Sequence, residues 1–210
     1  MSTELQRKLE SMDAKSAYEL GLDHHEKKER KEAILCWEKA AYQMVDAAYN
    51  LVQVCDQSGD RERFLKWLEV LADTHKDPWG MVLYGTLLCG VNHRLWQMAG
   101  FSPLPPENRE KGLALIAAGM PLPLTGDNGE FQHSDYYAAS EAYYRRAGMR
   151  SFEGCTSAEL EIALAYMQRA LDMIRVVAKQ NPMAGQMAAA YESSLENISG
   201  ALANMRKLGM

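Results

Sequence analysis

Three groups of residues have types that could do chemistry: the run His24-His25-Glu26, four scattered cysteines, and a tyrosine–arginine stripe near residue 140. Adjacent residues on a helix point about 100° apart, so His24 and His25 are poorly placed to share one metal ion. A helical zinc pair needs histidines at i and i+4, and no H-x-x-x-H occurs. The pair therefore reads as one packed and one exposed histidine, while His75, His93 and His133 are isolated. A cysteine nucleophile needs a lowered pKa and a nearby base. Cys36, Cys55 and Cys89 lie in apolar or helical settings and read as reduced core residues. Cys155 stands just before a helix start at Thr156, where the helix dipole would favour a thiolate, and is the best placed of the four. The chain has no C-x-x-C, G-x-S-x-G, P-loop or G-x-G-x-x-G. Gly126-Asp127-Asn128-Gly129-Glu130 lacks the alternating acids of a calcium loop and reads as a turn. Tyr136, Tyr137, Tyr143 and Tyr144, with Arg145 and Arg146, would suit base stacking. Their heptad spacing favours a packing face with the arginines solvated. These residues call for no catalytic set, no metal and no cofactor.

Elements must position whatever site remains, and composition limits them first. At 210 residues and 47% hydrophobic, the chain can bury a core. Its net charge of −5 disfavours a non-specific nucleic-acid binder. Lys27, Lys28, Arg30 and Lys31 are interleaved with Glu26, Glu29 and Glu32, the pattern of a solvated helix end or turn. The polar stretch Met1 to Met12 lacks the apolar run of a secretory signal. No stretch approaches the roughly 18 apolar residues of a membrane span. A cytoplasmic protein, engaging neither membrane nor nucleic acid and keeping its thiols reduced, is the expectation. The 13 methionines are concentrated after Met98 and serve as core filler or as an adaptable surface.

The chain also repeats itself. Ser16-Ala17-Tyr18-Glu19-Leu20-Gly21 recurs as Ala47-Ala48-Tyr49-Asn50-Leu51-Val52, and Ala33-x-x-x-Trp37 as Arg63-x-x-x-Trp67. A weaker third copy runs through Leu83-Tyr84-Gly85 and Gly112-x-x-x-Ile116-x-x-Gly119. A period near 30 suits one helical hairpin per unit. Within a unit, Ala33, Ile34, Trp37, Ala40 and Ala41 share one helix face. Small residues let the paired backbones approach, and the tryptophan fills the space beside them. Asp77-Pro78 predicts a capped helix start with a third first helix over Trp79 to Cys89. The proline-rich stretch Asn92 to Asn108 reads as an insertion, and Glu110 to Ala118 as the second helix resumed. Pro121 to Asp135 is a second irregular stretch. Helices then follow over Tyr136 to Met149, from the signature Thr156-Ser157-Ala158-Glu159 to about Lys179, and over Met183 to Lys207. No segment alternates with period two, so no sheet is expected. The domain reading is one helical repeat domain over 1–210: clear repeats at 14–74, a degenerate repeat with an insertion at 77–120, and C-terminal helices at 134–208.

Tyr18-x-Leu20-Gly21, Ala33-x-x-x-Trp37-Glu38-Lys39-Ala40-Ala41 and Ala47-x-Tyr49-Asn50-Leu51 resemble the pattern of Sel1-like repeats, close cousins of tetratricopeptide repeats. The resemblance is fairly specific over Ser16 to Leu71, degenerate over Trp79 to Met120, and thereafter general. Ala163, Met167 and Ala170 then stand where Ala33, Trp37 and Ala40 stand. Val52 replaces a glycine, Arg63 replaces an alanine, and the usual glycine-rich turn is absent after His24. The resemblance implies an all-α, right-handed solenoid of helix–turn–helix repeats, ending in a long C-terminal helical hairpin. It also implies an adaptor or scaffold rather than an enzyme, with the first helix of each unit lining a concave groove for a protein or peptide.

By position, Lys15, Tyr18, Leu22, His25 and Glu26 would approach that groove from the first unit, and Asp46, Tyr49, Gln53 and Asp56 from the second. Trp79, Val82 and Thr86 would do so from the third. Tyr18 and Tyr49 suit the core equally well. An alternative places a small-ligand or catalytic site under the irregular stretches 92–108 and 121–135, lined by His93, Trp96, Phe101 and His133. A further alternative makes the last helix a self-association surface, giving a homo-oligomer.

Overall fold

The computed structural model describes residues 3–91, 108–121, 130–144, 155–179 and 181–208. Among these residues there are ten α-helices and no strand. The chain divides into two compact units, Met1–Met81 and Val82–Met210.

Unit 1 opens with α1 (Thr3–Glu10), then α2 (Ala14–Glu26), α3 (Arg30–Ala40), α4 (Val45–Ser58) and α5 (Arg61–Glu69). Neighbours pack in pairs, α2 on α3 and α4 on α5, and α3 also meets α4. Each start has a local cause. Asp13 accepts the Ser16 N–H at 2.8 Å, and Asp60 accepts that of Arg63 at 3.2 Å. These caps satisfy donors that have no partner inside the helix. Gly59 ends α4 at φ 70°, a conformation favourable to glycine. The turn after α2 uses Lys28 at φ 63° instead, so a lysine occupies the left-handed position where the repeat pattern would have placed glycine. Helix α1 lies within the polar N-terminal stretch. It is short, and Leu9 is its buried hydrophobic contact.

The expected pairing of small residue and tryptophan is present in the first hairpin. A β-carbon on Gly21 would lie 2.5 Å from Trp37 Cδ1 and Nε1. Ala33, Trp37 and Ala40 are all buried on the same face. In the second hairpin Trp67 is equally buried, with Tyr42 edge-on at 5.6 Å, and Val52 at the glycine's position is also core.

After α5 the helix widens into a π-turn at Val70–Thr74, closed by the His75 N–H on the Val70 carbonyl. Such turns absorb an extra residue without ending the helix. His75 Nε2 lies 2.7 Å from the Ala41 carbonyl, tying this turn to the end of the first hairpin. Helix α6 (Pro78–Leu88) begins as predicted at Asp77-Pro78, with Asp77 accepting the Gly80 N–H at 2.8 Å.

Unit 2 contains the rest of α6, then α7 (Arg109–Gly119), α8 (His133–Tyr144), α9 (Ser157–Ala178) and α10 (Pro182–Leu208). Gly85 on α6 and Gly112 on α7 face one another, and a β-carbon on either would lie 2.6 Å from the other's carbonyl oxygen. A β-carbon on Gly85 would also meet Ile116 Cγ1 at 2.9 Å. Ile116 on Gly85 thus repeats the relation of Trp37 to Gly21. In the next pair, Ser140 of α8 donates its hydroxyl to the Ala163 carbonyl at 2.7 Å. Ala163, Met167 and Ala170 are fully buried at the spacing of Ala33, Trp37 and Ala40.

Helix α9 packs on both α8 and α10. Its start is a complete capping box, with Thr156 and Glu159 satisfying each other's backbone N–H groups. Helix α8 begins at His133, inside the stretch expected to be irregular, because Asp135 accepts the Gln132 N–H and Phe131 anchors the approach in the core. Most of the expected insertion, 92–107, and residues 122–129 lie outside the described residues, as do Arg145 and Arg146.

Candidate functional site

The expected groove residues separate into three groups. Lys15, Leu22, His25 and Glu26 are exposed on α2, with Tyr18 half-buried among them. Positions 15, 18, 22, 25 and 26 follow helical spacing, so they form one stripe. Leu22 is one of few large apolar side chains in the open, at 37% exposure. Lys15 lies 3.9 Å from Glu19, one turn on. The His25 ring sits 5.4 Å from that of Trp37, so its exposed edge rests on the core plug of the same hairpin. On α4, Asp46 and Gln53 are exposed.

The second group is half-buried and engaged within the fold. The Tyr49 hydroxyl donates to Asp77 Oδ1 at 2.7 Å, and its ring lies 5.5 Å from Trp79. Tyr49 therefore joins the second hairpin to the cap of α6. Asp77 is 3% exposed, and two donors, the tyrosine hydroxyl and the Gly80 N–H, satisfy its buried carboxylate. Asp56 is half-buried and engaged as well.

The third group corrects the expectation. Val82 is 2% exposed and Thr86 is fully buried. Val82 packs in the core of unit 2, and Thr86 donates its hydroxyl to the Leu83 carbonyl at 2.9 Å. Neither can meet a partner. The one-turn spacing that placed them on a groove also fits the interior of a helix with no charged residue, and α6 is such a helix.

The candidate nucleophiles are placed against reactivity. All four cysteines are free and buried. Burial pushes the Cys36 and Cys55 thiols up to about 11 and that of Cys89 to about 12. The Cys155 sulfur lies 3.3 Å from the carbonyl oxygens of both Tyr143 and Tyr144. Its sulfur thus points to backbone carbonyls within the fold, and Cys155 is buried rather than open at the helix start. Among the described residues no group of three or more histidine, cysteine or acidic side chains could hold a metal ion.

The tyrosines are packing elements. Tyr137 stacks on Tyr191 with centroids 4.5 Å apart, and Tyr136 and Tyr143 both contact Tyr166. His133, expected to line a site under the irregular stretches, lies 3.1 Å from the Tyr191 hydroxyl. His93, Trp96 and Phe101 lie outside the described residues.

One polar cluster had no sequence signal beyond its capping box. Arg109 at the start of α7 donates to Glu159 at 2.8 Å and to the Tyr143 carbonyl at 3.3 Å, with both charged side chains mostly buried. Burial alone would push the Glu159 carboxyl up. The Thr156 N–H and the Arg109 guanidinium outweigh that and hold it below the usual value. Every partner in the cluster belongs to a helix end, so it reads as a structural clasp.

No described helix is long and apolar enough to cross a membrane. Comparison with protein-family models, with curated proteins and with solved structures found no match in any of the three.

Proposed function

We propose that the chain is a Sel1-like or tetratricopeptide-like repeat protein, a right-handed solenoid that acts as a non-enzymatic scaffold. In this reading it grips a protein or peptide segment against the first helices of its hairpins. The observation that carries the reading is the contact of Gly21 with Trp37 and its counterpart of Gly85 with Ile116. A fixed small-on-large crossing, repeated along a chain, is how hairpin arrays stack while leaving one helix face of each unit for a partner. Lys15, Leu22, His25 and Glu26 on α2, with Asp46 and Gln53 on α4, are the exposed side chains of that face. The burial of all four thiols also supports a binding role over nucleophilic catalysis.

The test is position-dependent crosslinking. A photoreactive residue at Leu22 or Gln53 should capture one discrete partner in the native host, and one at Lys39 or Lys66 on the second helices should not. Equal capture from both faces, or capture from the second helices alone, would remove the reading.

A further inference from the structure

We propose that the chain associates with a second copy of itself through the outer side of α9, the two copies of that helix lying antiparallel. Helix α9 is covered on two sides, by α8 and by α10. Its remaining side carries Ile162, Ala165, Arg169, Asp172, Val176 and Lys179, all exposed. Their spacing alternates between three and four residues, so they form one straight stripe. Ile162 is 38% exposed and Val176 67%. A single apolar side chain in the open is ordinary. These two stand about four turns apart on the same side of one helix, and Val177 and Met183 are also open at the Val176 end of the hairpin.

The charges on the stripe say what covers it. The other acids of α9 are paired within unit 2, Glu159 with Arg109 and Glu161 with Arg206, and Arg175 is paired with Glu192. Among the described residues Arg169 and Asp172 enter no ion pair, either with each other or with a neighbour. Asp172 accepts the Gln168 amide at 2.9 Å, and Arg169 lies 6.0 Å from the Tyr136 ring. Both sit in the middle of the helix, out of reach of the end dipoles that would favour one sign. A base and an acid one turn apart are self-complementary when a helix meets its own copy reversed. With Arg169 opposite the second copy's Asp172, Asp172 stands opposite the second copy's Arg169, and two ion pairs form. The same register sets Ala165 against Val176, small against large. It also lays the aliphatic stem of Lys179 over Ile162 while the ammonium stays in water. Every contact then occurs twice, as a two-fold interface requires. A parallel copy in register would instead set Arg169 on Arg169. The surface is on α9, not on the last helix as the sequence alternative had it, and it does not depend on the groove of unit 1.

Sedimentation equilibrium of the full chain, from low to high micromolar concentration, tests this. The chain should pass from monomer to dimer. Arg169→Glu sets two acids against two acids, and Asp172→Lys sets two bases against two bases. Each alone should raise the dissociation constant at least about tenfold, because like charges brought together oppose association. Val176→Ser should weaken the dimer as well. The two charge variants mixed in equal amounts should form a heterodimer at least as tight as the unsubstituted dimer, which also shows that both are folded. A strict monomer throughout the range overturns the proposal. So does a dimer that the α9 substitutions leave intact, including one lost instead on Ala203→Lys, on the exposed side of α10. Charge variants that stay monomeric when mixed would contradict the antiparallel register, and the proposal with it.

Discussion

Gly21 and Trp37 occupy a space that only one of them can fill: the indole edge lies where the glycine's β-carbon would be, 2.5 Å from it. Two effects then compete in Gly21→Ala. Alanine is the better helix former by about 1 kcal/mol, but overpacking a fixed core typically costs about 1–3 kcal/mol. Trp37 is buried on all sides and cannot retreat, so the steric term wins. A net loss of about 1–2 kcal/mol is expected from chemical denaturation.

Gly85→Ala is expected to cost more than Gly21→Ala. Its β-carbon would strike the Gly112 carbonyl oxygen, which is backbone and can move only with its helix. Gly200 is the control. It lies within α10 with nothing within 4 Å of a β-carbon, so Gly200→Ala should stabilise by up to about 1 kcal/mol. If all three variants had the same sign, the close-crossing account would be wrong.

Lys28 holds φ 63° at the end of α2, where a side chain costs about 1 kcal/mol relative to glycine. Lys28→Gly should therefore raise the denaturation midpoint, by somewhat less than that amount because glycine also loosens the unfolded chain. A lowered midpoint would show that the lysine side chain contributes more than its backbone strain.

Stability should fall in alkali. The Cys36, Cys55 and Cys89 thiols are raised from 9.0 to about 11, 11 and 12, and the Tyr143 hydroxyl from 10.0 to about 12, chiefly by burial. A raised acid contributes stability that is complete below its unfolded pKa and is lost as pH climbs through the folded value. The denaturation midpoint should hold to about pH 9 and drop between there and 12. Native thiols should resist a disulfide reagent at pH 8 until the chain is unfolded. Prompt labelling of any of the four under native conditions would contradict the placement.

Glu159 works in the opposite direction. Its carboxyl is held below 4.5, so its contribution is present above that pH and is lost as pH falls through the lower, folded value. Glu159→Gln removes the ion pair with Arg109 while its amide oxygen can still accept the Thr156 N–H, at a cost of about 2 kcal/mol near neutrality. The difference from the unsubstituted chain should shrink in acid below pH 4.5. A difference independent of pH would assign the loss to packing rather than charge.

Tyr49→Phe should cost about 1–2 kcal/mol, because it leaves the buried Asp77 carboxylate with one fewer donor while preserving the ring contact with Trp79. Asp77→Ala should cost at least as much, since it removes the α6 cap too. In a double-mutant cycle the two should be strongly non-additive, and simple additivity would mean that the hydroxyl and carboxylate do not act together.

The sequence by itself determined the helices and much of their local wiring. Asp13, Asp60, Asp77 and Thr156 cap helices within a few residues, which is a short-range effect of donors that have no other partner. The small–large–small spacing of Ala33, Trp37 and Ala40 likewise named its own buried face, because helical geometry fixes which residues share a side. Periodicity cannot say which of two faces of α6 meets solvent: the spacing puts Val82 and Thr86 on a groove, and both are core. That helix carries no charge to mark an outer side. Nor could spacing reveal that Arg109 and Glu159, fifty residues apart, close into a clasp, or that Tyr49 reaches Asp77. Those contacts join helix ends brought together only by the packing of several elements. Which side chains stay exposed for a partner is settled at that level too, since burial is a property of the assembled neighbours and not of any one segment.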